Sequence, residues 1–190
     1  MKVISLGGGP AGLYTAILLK KANPSHDITV YERNRPDDTF GFGVVFSDAT
    51  LENFEEADHE TYKSITGNFA HWDGIDIRYN GHVLSSEGHG FSGLSRQRLL
   101  QILIARCEEL NVDLHFETEI EDVMPFLDKA DLVLGADGVD SLVRKTFAEE
   151  LGASVDMRPN KFAWMATMQR FPAFNFIFKQ YWLCNIFKVG

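Results

Sequence analysis

The chain has 190 residues, of which 45% are hydrophobic and 24% are charged, as is ordinary for one globular domain with a sizeable core. Its formal net charge of −9 disfavours nucleic acids and anionic membranes as general partners. The two cysteines provide no disulfide framework, and no apolar run reaches the roughly 18 residues that a membrane span requires. Because Met1 leads almost at once into a core-like strand, we expect no targeting peptide and a cytoplasmic location.

The first predicted element is a strand at residues 2–6 that runs directly into a glycine-rich turn of the pattern G-x-G-x-x-G. In this pattern the first glycine permits a tight turn, the second lets main chain approach a pyrophosphate, and the third lets the following helix pack closely on the strand. That helix directs its free N–H groups and its positive dipole end at the phosphates. The residues of this predicted dinucleotide-binding turn are Gly7, Gly9, Pro10, Ala11 and Gly12.

The sequence that follows the turn supplies the context that this pattern needs, because G-x-G-x-x-G alone is weak evidence. Helical periodicity after the glycines ends at Asn23-Pro24, since the residue before proline is kept out of the α region. A second strand then ends in Glu32, 20 positions after Gly12, where a carboxylate can accept hydrogen bonds from an adenosine ribose. The alternative is a glycine turn in an unrelated α/β protein, with Glu32 as a solvated strand end.

An extended segment with two glycines is predicted at residues 40–46. Glycine there would let the main chain approach a ligand that a Cβ would push away. The alternative is a plain buried strand that contains two glycines. Ser47 or Asp48 is then expected to cap a helix that runs to about Asp58.

Residues 59–94 are the least periodic part of the chain, and Asn80-Gly81 between alternating runs predicts a β-hairpin within them. The clearest helix follows, with Ser95 as its cap. Arg96 lies in the first turn of this helix, where the helix dipole disfavours a cation. The arginine is therefore placed either to meet an anion or simply to be solvated.

A second ligand-binding element is predicted near the end of the α/β region. A strand is expected at residues 112–116, and the short apolar run at 132–134 is typical of a buried parallel strand. This run ends in an Ala-Asp-Gly turn that leads to a helix around residues 139–147. Ligands bind at the carboxyl ends of such strands, so Asp137 is expected at the ligand-binding edge of the sheet.

These motifs together resemble class A flavoprotein aromatic hydroxylases, the family of p-hydroxybenzoate hydroxylase. The resemblance depends on the first glycine turn with Glu32-Arg33 and on the Asp-Gly run at 135–144. The stretch at 40–48 narrows it to hydroxylases of aromatic acyl-CoA thioesters, such as salicylyl-CoA and anthraniloyl-CoA monooxygenases. It extends more distantly to the tryptophan-derivative hydroxylases of violacein synthesis. The resemblance covers about residues 1–170.

The resemblance implies an α/β fold, namely a Rossmann-like FAD-binding domain of the GR2 type, in which helices flank a parallel sheet. A second, β-sheet substrate domain would begin after it. We therefore expect the FAD-binding domain at residues 1–160, with an irregular or hairpin insertion at about 59–94. The densely aromatic residues 161–190 would be the incomplete start of the substrate-domain sheet or an aberrant tail.

The resemblance also implies roles for individual residues. The glycine turn would hold the pyrophosphate of FAD, Glu32 would bind the ribose, and Arg33 would lie beside the adenosine. Arg96 matches a helix-start arginine that contacts the flavin dinucleotide, and Asp137 matches an aspartate that supports both FAD and the reduced nicotinamide. Main chain at residues 43–45 would lie near the flavin ring. The implied cofactor-binding residues are Gly7, Gly9, Pro10, Ala11, Gly12, Glu32, Arg33, Gly43, Val44, Val45, Arg96 and Asp137.

The implied activity is that of an FAD-dependent monooxygenase that hydroxylates an aromatic compound, with NADH or NADPH as reductant and dioxygen as co-substrate. The cofactor supplies this chemistry, so no side chain is assigned as catalytic. The family's later Gly-Asp motif is not in the sequence, so the resemblance extends to an N-terminal portion only. Exposed aromatic residues near residue 190 would favour association into a homo-oligomer.

Other interpretations of the sequence remain open. One is another FAD-linked oxidoreductase on the same fold, and a second is a catalytically inactive nucleotide-binding module. The six histidines are not arranged at metal-ligand spacing, so no metal site is expected.

Overall fold

The computed structural model describes residues 1–159, 162–166, 169–179 and 182–187. The chain divides into two compact units, which are Met1–Asp38 with Leu100–Asp156 (unit 1) and Thr39–Leu99 with Met157–Gly190 (unit 2). The expected mixed α/β class with a parallel sheet is confirmed. No helix within the described residues is long and apolar enough to cross a membrane. The cytoplasmic location and the domain boundary near residue 160 stay predictions.

The described residues form twelve strands and six helices. The strands are β1 (Lys2–Leu6), β2 (Asp27–Tyr31), β3 (Gly43–Ser47), β4 (Ala70–Trp72), β5 (Ile75–Tyr79), β6 (His82–Ser86), β7 (Phe91–Ser95), β8 (Asp113–His115), β9 (Leu132–Gly135), β10 (Phe162–Ala166), β11 (Phe174–Lys179) and β12 (Trp182–Phe187). The helices are α1 (Pro10–Ala22), α2 (Asp48–Ala57), α3 (His59–Thr66), α4 (Arg96–Glu109), α5 (Met124–Leu127) and α6 (Leu142–Thr146).

Unit 1 is built on a four-stranded parallel sheet of order β8-β2-β1-β9. Numbered in chain order, these strands run 3-2-1-4, so the order reverses between β1 and β9. The register pairs Leu6 with Tyr31 on one side and with Gly135 on the other. The carboxyl ends of β1, β2 and β9 therefore meet at one edge of the sheet, which is where open parallel sheets bind ligands.

The core of unit 1 lies between β1, β2 and α1. Both central strands are apolar and almost fully buried, and α1 places Leu13, Ala16 and Ile17 inward as its periodicity predicts. Pro10 occupies the first helical position, where its missing N–H costs nothing, and the helix ends at Asn23 in extended backbone. The predicted end of this helix before Pro24 is thus confirmed.

The strand β9 is less buried than its apolar sequence predicts. Leu132 is 38% exposed, and β9 forms one edge of the sheet within the described residues. A continuous apolar run is typical of a strand that is covered on both faces, whereas an edge strand is covered only in part. The helix after it is also shorter than expected, because the chain turns at Gly138, whose φ is +88°, before α6 begins.

Cys107, a residue of α4, provides a test of how the core of unit 1 is packed. Its side chain is fully buried and its thiol lies 3.5 Å from the carbonyl oxygen of Leu13. Desolvation, with a smaller contribution from the Glu108 carboxylate, raises the pKa of the thiol from 9.0 to about 12. In a Cys184→Ser variant, where Cys107 is the remaining thiol, we expect Cys107 to resist thiol reagents at pH 8 until the chain is denatured. Titrating the thiol in the native and in the denatured variant measures this difference.

The same shift in pKa predicts how stability depends on pH. The folded chain holds the Cys107 proton more tightly than the unfolded chain does, so this contribution is complete below pH 9 and is lost between pH 9 and 12. Replacing Cys107 by alanine should flatten that part of the curve of unfolding free energy against pH. Rapid labelling of native Cys107 at pH 8 would contradict the assignment.

Unit 2 contains two sheets, an antiparallel sheet of order β3-β7-β4 and a mixed sheet of order β10-β12-β11-β5-β6. The predicted hairpin is confirmed, because β5 and β6 pair across Asn80 and Gly81, whose φ values of 49° and 80° suit a two-residue turn. Residues 59–94 also form α3, β4 and β7, which the sequence did not predict. The hairpin shares its sheet with β11, to which β5 pairs in parallel.

Candidate nucleotide-binding site

The glycine turn after β1 packs tightly against the loop after β9. Gly7 has a φ of +112°, and a Cβ there would lie 2.2 Å from the carbonyl oxygen of Ala136. A Cβ on Gly12 would lie 2.0 Å from the carbonyl oxygen of Gly7. Distances this short are prohibitive against backbone atoms, so contacts within the protein already exclude a side chain at both positions.

Gly9 differs from these two glycines. It precedes α1 as the N-cap in ordinary extended backbone, with φ −73° and ψ 177°. A Cβ built on Gly9 would have no atom of the described residues within 4 Å, apart from its own chain neighbours. The protein's own packing therefore gives no reason for glycine here, whereas a ligand close to the start of α1 would give one. The N–H groups of this first helical turn have no partner four residues earlier and can donate to an anion.

Glu32, at the end of β2, is fixed against this turn. Its Oε2 accepts a hydrogen bond from the Gly8 N–H at 2.8 Å. Its Oε1 accepts from the Asn34 N–H at 2.8 Å and from Asn34 Nδ2 at 2.6 Å. A Cβ on Gly8 would lie 2.8 Å from the Glu32 Cβ. The carboxylate is thus held beside the turn by main chain and by one amide side chain.

Gly8 and Asn34 are two residues that the sequence interpretation missed. The G-x-G-x-x-G pattern allows any residue at Gly8, and the glycine found there, between Gly7 and Gly9, was the signal that something packs against this position. Asn34 gave no comparable signal, because its role depends on the side-chain contact with Glu32. Arg33 lies between the two partners with an exposed side chain, and no hydrogen bond or ion pair to the described residues holds its guanidinium.

Asp137 lies in the loop after β9, beside Gly7. One carboxylate oxygen, Oδ2, accepts from the Leu142 N–H and so caps α6. The other, Oδ1, is buried and has no hydrogen-bond partner among the described residues. A buried acceptor left unsatisfied costs about 1–3 kcal/mol, so such an atom indicates a missing donor, as a bound ligand would provide. Ser141 and Arg144 brace the loop, since Ser141 Oγ accepts from the Arg144 N–H at 3.0 Å.

Unit 1 therefore brings together the sequence-predicted residues of the glycine turn, Glu32 and Asp137. They lie at the edge where β1, β2 and β9 end. Among the described side chains there is no group of three or more histidine, cysteine or acidic residues placed to hold a metal ion.

The remaining predicted residues lie in unit 2 and are also neighbours of one another. Gly43, at the start of β3, pairs with Ser95, and Val44 and Val45 continue the pairing with β7. The Arg96 N–H donates to the Phe42 carbonyl oxygen at 3.2 Å. The start of α4 is thus fixed to the chain just before β3, and Ser95 caps it as predicted by accepting from the Arg98 N–H.

Two polar atoms in this part of unit 2 are buried without a hydrogen-bond partner among the described residues. They are Nε of Arg96 and Oγ1 of Thr39. A buried guanidinium nitrogen is inconsistent with a simply solvated arginine, so this observation favours the alternative in which Arg96 meets an anion. Thr39 was missed by the sequence interpretation, because a threonine in a polar turn resembles an ordinary surface residue.

Comparison with known proteins finds no matching protein-family model. Salicyloyl-CoA 5-hydroxylase from a Streptomyces species is 40% identical over 177 residues, 93% of this chain and 34% of that protein. The 3-hydroxy-4-methyl-anthranilyl-[aryl-carrier protein] 5-monooxygenase of Streptosporangium sibiricum is 30% identical over 87% of this chain and 46% of its own length. Protodeoxyviolaceinate monooxygenase of Chromobacterium violaceum is 29% identical over 94% of this chain and 48% of its own length.

Two solved structures share the fold. The tetrameric form of 2-methyl-3-hydroxypyridine-5-carboxylic acid oxygenase has a TM-score of 0.67 at 24% identity, over 77% of this chain and 42% of that one. A Photorhabdus luminescens protein assigned as an FAD-containing monooxygenase has a TM-score of 0.58 at 22% identity, over 78% and 42%. The chain spans about a third to a half of the length of the curated relatives it matches. The resemblance to hydroxylases of aromatic thioesters and, more distantly, to a violacein enzyme is confirmed by these relatives.

Proposed function

We propose that this chain is the FAD-binding part of an FAD-dependent aromatic monooxygenase whose substrate is an aromatic acyl-CoA thioester. The observation that carries the proposal is the arrangement at one sheet edge of unit 1. Open space at Gly9 lies between the tightly packed Gly7 and Gly12, and the Glu32 carboxylate is fixed beside them. The buried Asp137 Oδ1 has no donor in the described part of the chain. The 40% identity to salicyloyl-CoA 5-hydroxylase over most of the chain supports the substrate class.

The residues of unit 1 fit the adenosine diphosphate half of FAD. The start of α1 would hold the pyrophosphate through main-chain N–H groups, because no Cβ stands in the way at Gly9. Glu32 would accept from the ribose, exposed Arg33 would lie beside the adenosine, and Asp137 Oδ1 would accept from a donor on the dinucleotide. The 3-2-1-4 strand order supports a Rossmann-like domain of the GR2 type. When bound, FAD would supply the redox chemistry that couples oxidation of NADH or NADPH to hydroxylation by dioxygen.

Residues of unit 2 are also proposed to bind FAD. Main chain at Gly43, Val44 and Val45 is proposed to contact the flavin ring. The buried Arg96 Nε, which has no hydrogen-bond partner within the described ranges, is proposed to contact the anionic dinucleotide. We propose residues 1–160 as the FAD-binding domain, with the hairpin insertion at about 59–94. Residues 161–190 would begin the substrate-domain sheet; of these, 161, 167, 168, 180, 181 and 188–190 lie outside the described residues. The parallel pairing of β5 with β11 supports a sheet that the insertion and this region share.

Assembly into a homo-oligomer is part of the proposal. It is supported by the tetrameric form of 2-methyl-3-hydroxypyridine-5-carboxylic acid oxygenase, which shares the fold, and by the aromatic composition of the last residues. Sedimentation of the purified chain with and without FAD measures it directly. A monomer at all concentrations would contradict this part of the proposal alone.

The cofactor assignment is tested by titrating the purified 190-residue chain with FAD and following the change in flavin fluorescence. Glu32→Ala is expected to weaken FAD binding by about 1–3 kcal/mol, roughly five- to 150-fold, because a hydrogen bond to a charged acceptor is lost. Glu60→Ala is the matched control, since Glu60 is an exposed α3 residue whose partner Lys63 lies 3.7 Å away on the surface. Equal affinity of wild type and Glu32→Ala would remove Glu32 from the site.

A second candidate function is a nucleotide-binding module without catalysis, which the same arrangement of the glycine turn, Glu32 and Asp137 also supports. The two candidates differ in one measurement. A monooxygenase loaded with FAD should oxidise NADH or NADPH faster when an aromatic CoA thioester is added, and should release the hydroxylated thioester. Tight FAD binding without stimulated oxidation would favour the module.

A further inference from the structure

The Glu32 carboxylate has little accepting capacity left for a ligand. An ionised carboxylate offers about four lone-pair directions, two on each oxygen. Donors from Asn34, its N–H at 2.8 Å and its Nδ2 at 2.6 Å, take both directions on Oε1. The Gly8 N–H at 2.8 Å takes one direction on Oε2. One acceptor direction remains, and it belongs to the oxygen that lies beside the glycine turn.

The donors themselves are held in place. The Asn34 carbonyl oxygen accepts from the Glu117 N–H at 3.1 Å, and the Glu32 carbonyl oxygen accepts from the Thr118 N–H at 2.9 Å. The Glu32 N–H donates to the His115 carbonyl oxygen at 2.8 Å. Main chain on both sides of Arg33 is therefore fixed to the end of β8 and to the segment that follows it. For Oε1 to accept from a ligand, at least one of its two charge-assisted bonds from Asn34 would have to break.

We infer that Asn34 is a positioning residue that restricts Glu32 to one hydroxyl of the adenosine ribose. The inference rests on the proposed function, because it takes the adenosine of FAD as the ligand of Glu32. A ribose presents two neighbouring hydroxyls, and a free carboxylate can accept from both at once. With Oε1 saturated by Asn34, the single site on Oε2 accepts from one of them, and the other hydroxyl is left to solvent.

The inference predicts an asymmetry between two analogues of FAD, one with 2′-deoxyadenosine and one with 3′-deoxyadenosine. Titrated into the purified wild-type chain, one analogue should bind about tenfold or more weakly than FAD, because a charge-assisted hydrogen bond is lost. The other should bind within about twofold of FAD. Equal weakening by both analogues, or weakening by neither, would overturn the inference.

An Asn34→Ala variant tests the role of the amide itself. Without Nδ2, one direction on Oε1 is free for the second hydroxyl, so the ratio of the two analogue affinities should fall towards one. Asn23→Ala is the matched control, since Asn23 also makes side-chain hydrogen bonds, but lies at the C-terminal end of α1, away from Gly9. Asn23→Ala should keep the wild-type ratio. An unchanged ratio in folded Asn34→Ala would show that Asn34 does not act through Glu32.

The analogue titration on wild type does not depend on either variant folding. A wild-type chain that binds neither FAD nor its analogues would overturn the proposed function and this inference together. A wild-type chain that binds FAD tightly but responds equally to the loss of each hydroxyl would leave the proposed function standing and overturn this inference alone.

Discussion

Gly9→Ala is expected to weaken FAD binding by roughly a hundredfold, about 2.7 kcal/mol, while the chain keeps its fold. The new Cβ would meet none of the atoms that the structure describes within 4 Å, and the backbone of Gly9 is one that alanine adopts without strain. It would instead occupy the space in which the proposed pyrophosphate approaches the main chain. Alanine is a poorer N-cap than glycine, so a loss of stability of about 1 kcal/mol or less is expected.

FAD titration of the wild type and of Gly9→Ala measures the loss of affinity. Thermal unfolding of the same two proteins measures the loss of stability. Gly41→Ala is a useful comparison, since a Cβ at Gly41 also meets open space but its φ of +89° makes alanine strained there. That variant should lose stability. Unimpaired FAD binding by Gly9→Ala would show that no ligand approaches the turn at this position, and would count against the whole assignment of the glycine turn.

Gly12→Ala, unlike Gly9→Ala, is expected to destabilise the fold of unit 1 and not to block the ligand directly. Alanine favours a helix over glycine by about 1 kcal/mol, but its Cβ would lie 2.0 Å from the Gly7 carbonyl oxygen and 3.1 Å from Ser5 Oγ. Neither β1 nor the turn can yield easily, because Ser5 is fully buried. Overpacking of this kind costs typically 1–3 kcal/mol, and a contact with backbone places Gly12→Ala at about 3 kcal/mol or more.

Denaturant unfolding followed by circular dichroism will measure this loss, with Gly9→Ala as the control from the same turn. A loss of about 3 kcal/mol corresponds to a fall in melting temperature of roughly 10 °C for a chain of this size. FAD binding by Gly12→Ala should fall only as far as the folded fraction falls. Wild-type stability in Gly12→Ala would mean that α1 does not pack against β1 as closely as described.

The sequence was informative where local spacing determines structure. The distance from β1 through the turn to Glu32 is set by one helix and two short strands, so the position of the carboxylate followed from residue counting. The hairpin at Asn80 and the cap at Ser95 also depend only on neighbouring residues. These features needed no knowledge of distant contacts.

Features that depend on distant contacts could not be predicted in the same way. The pairing of β5 with β11 joins strands about a hundred residues apart, and the saturation of Glu32 by Asn34 depends on side-chain geometry. The partial exposure of β9 follows from its place at the edge of the sheet, which its apolar composition does not encode. The missing partners of Asp137 Oδ1 and Arg96 Nε are visible only when every buried polar atom is counted.

The division of the chain has a consequence for its synthesis. Each unit is built from two stretches of sequence, so neither unit can be completed before its second stretch has been synthesised. As translation proceeds, β1 and β2 must wait for β9 to leave the ribosome before their sheet is complete, and β5 must wait for β11. Such long-range pairing is slow and leaves strand edges open in the meantime. We therefore expect nascent chains to depend on chaperones until β9 and β11 have emerged from the ribosome.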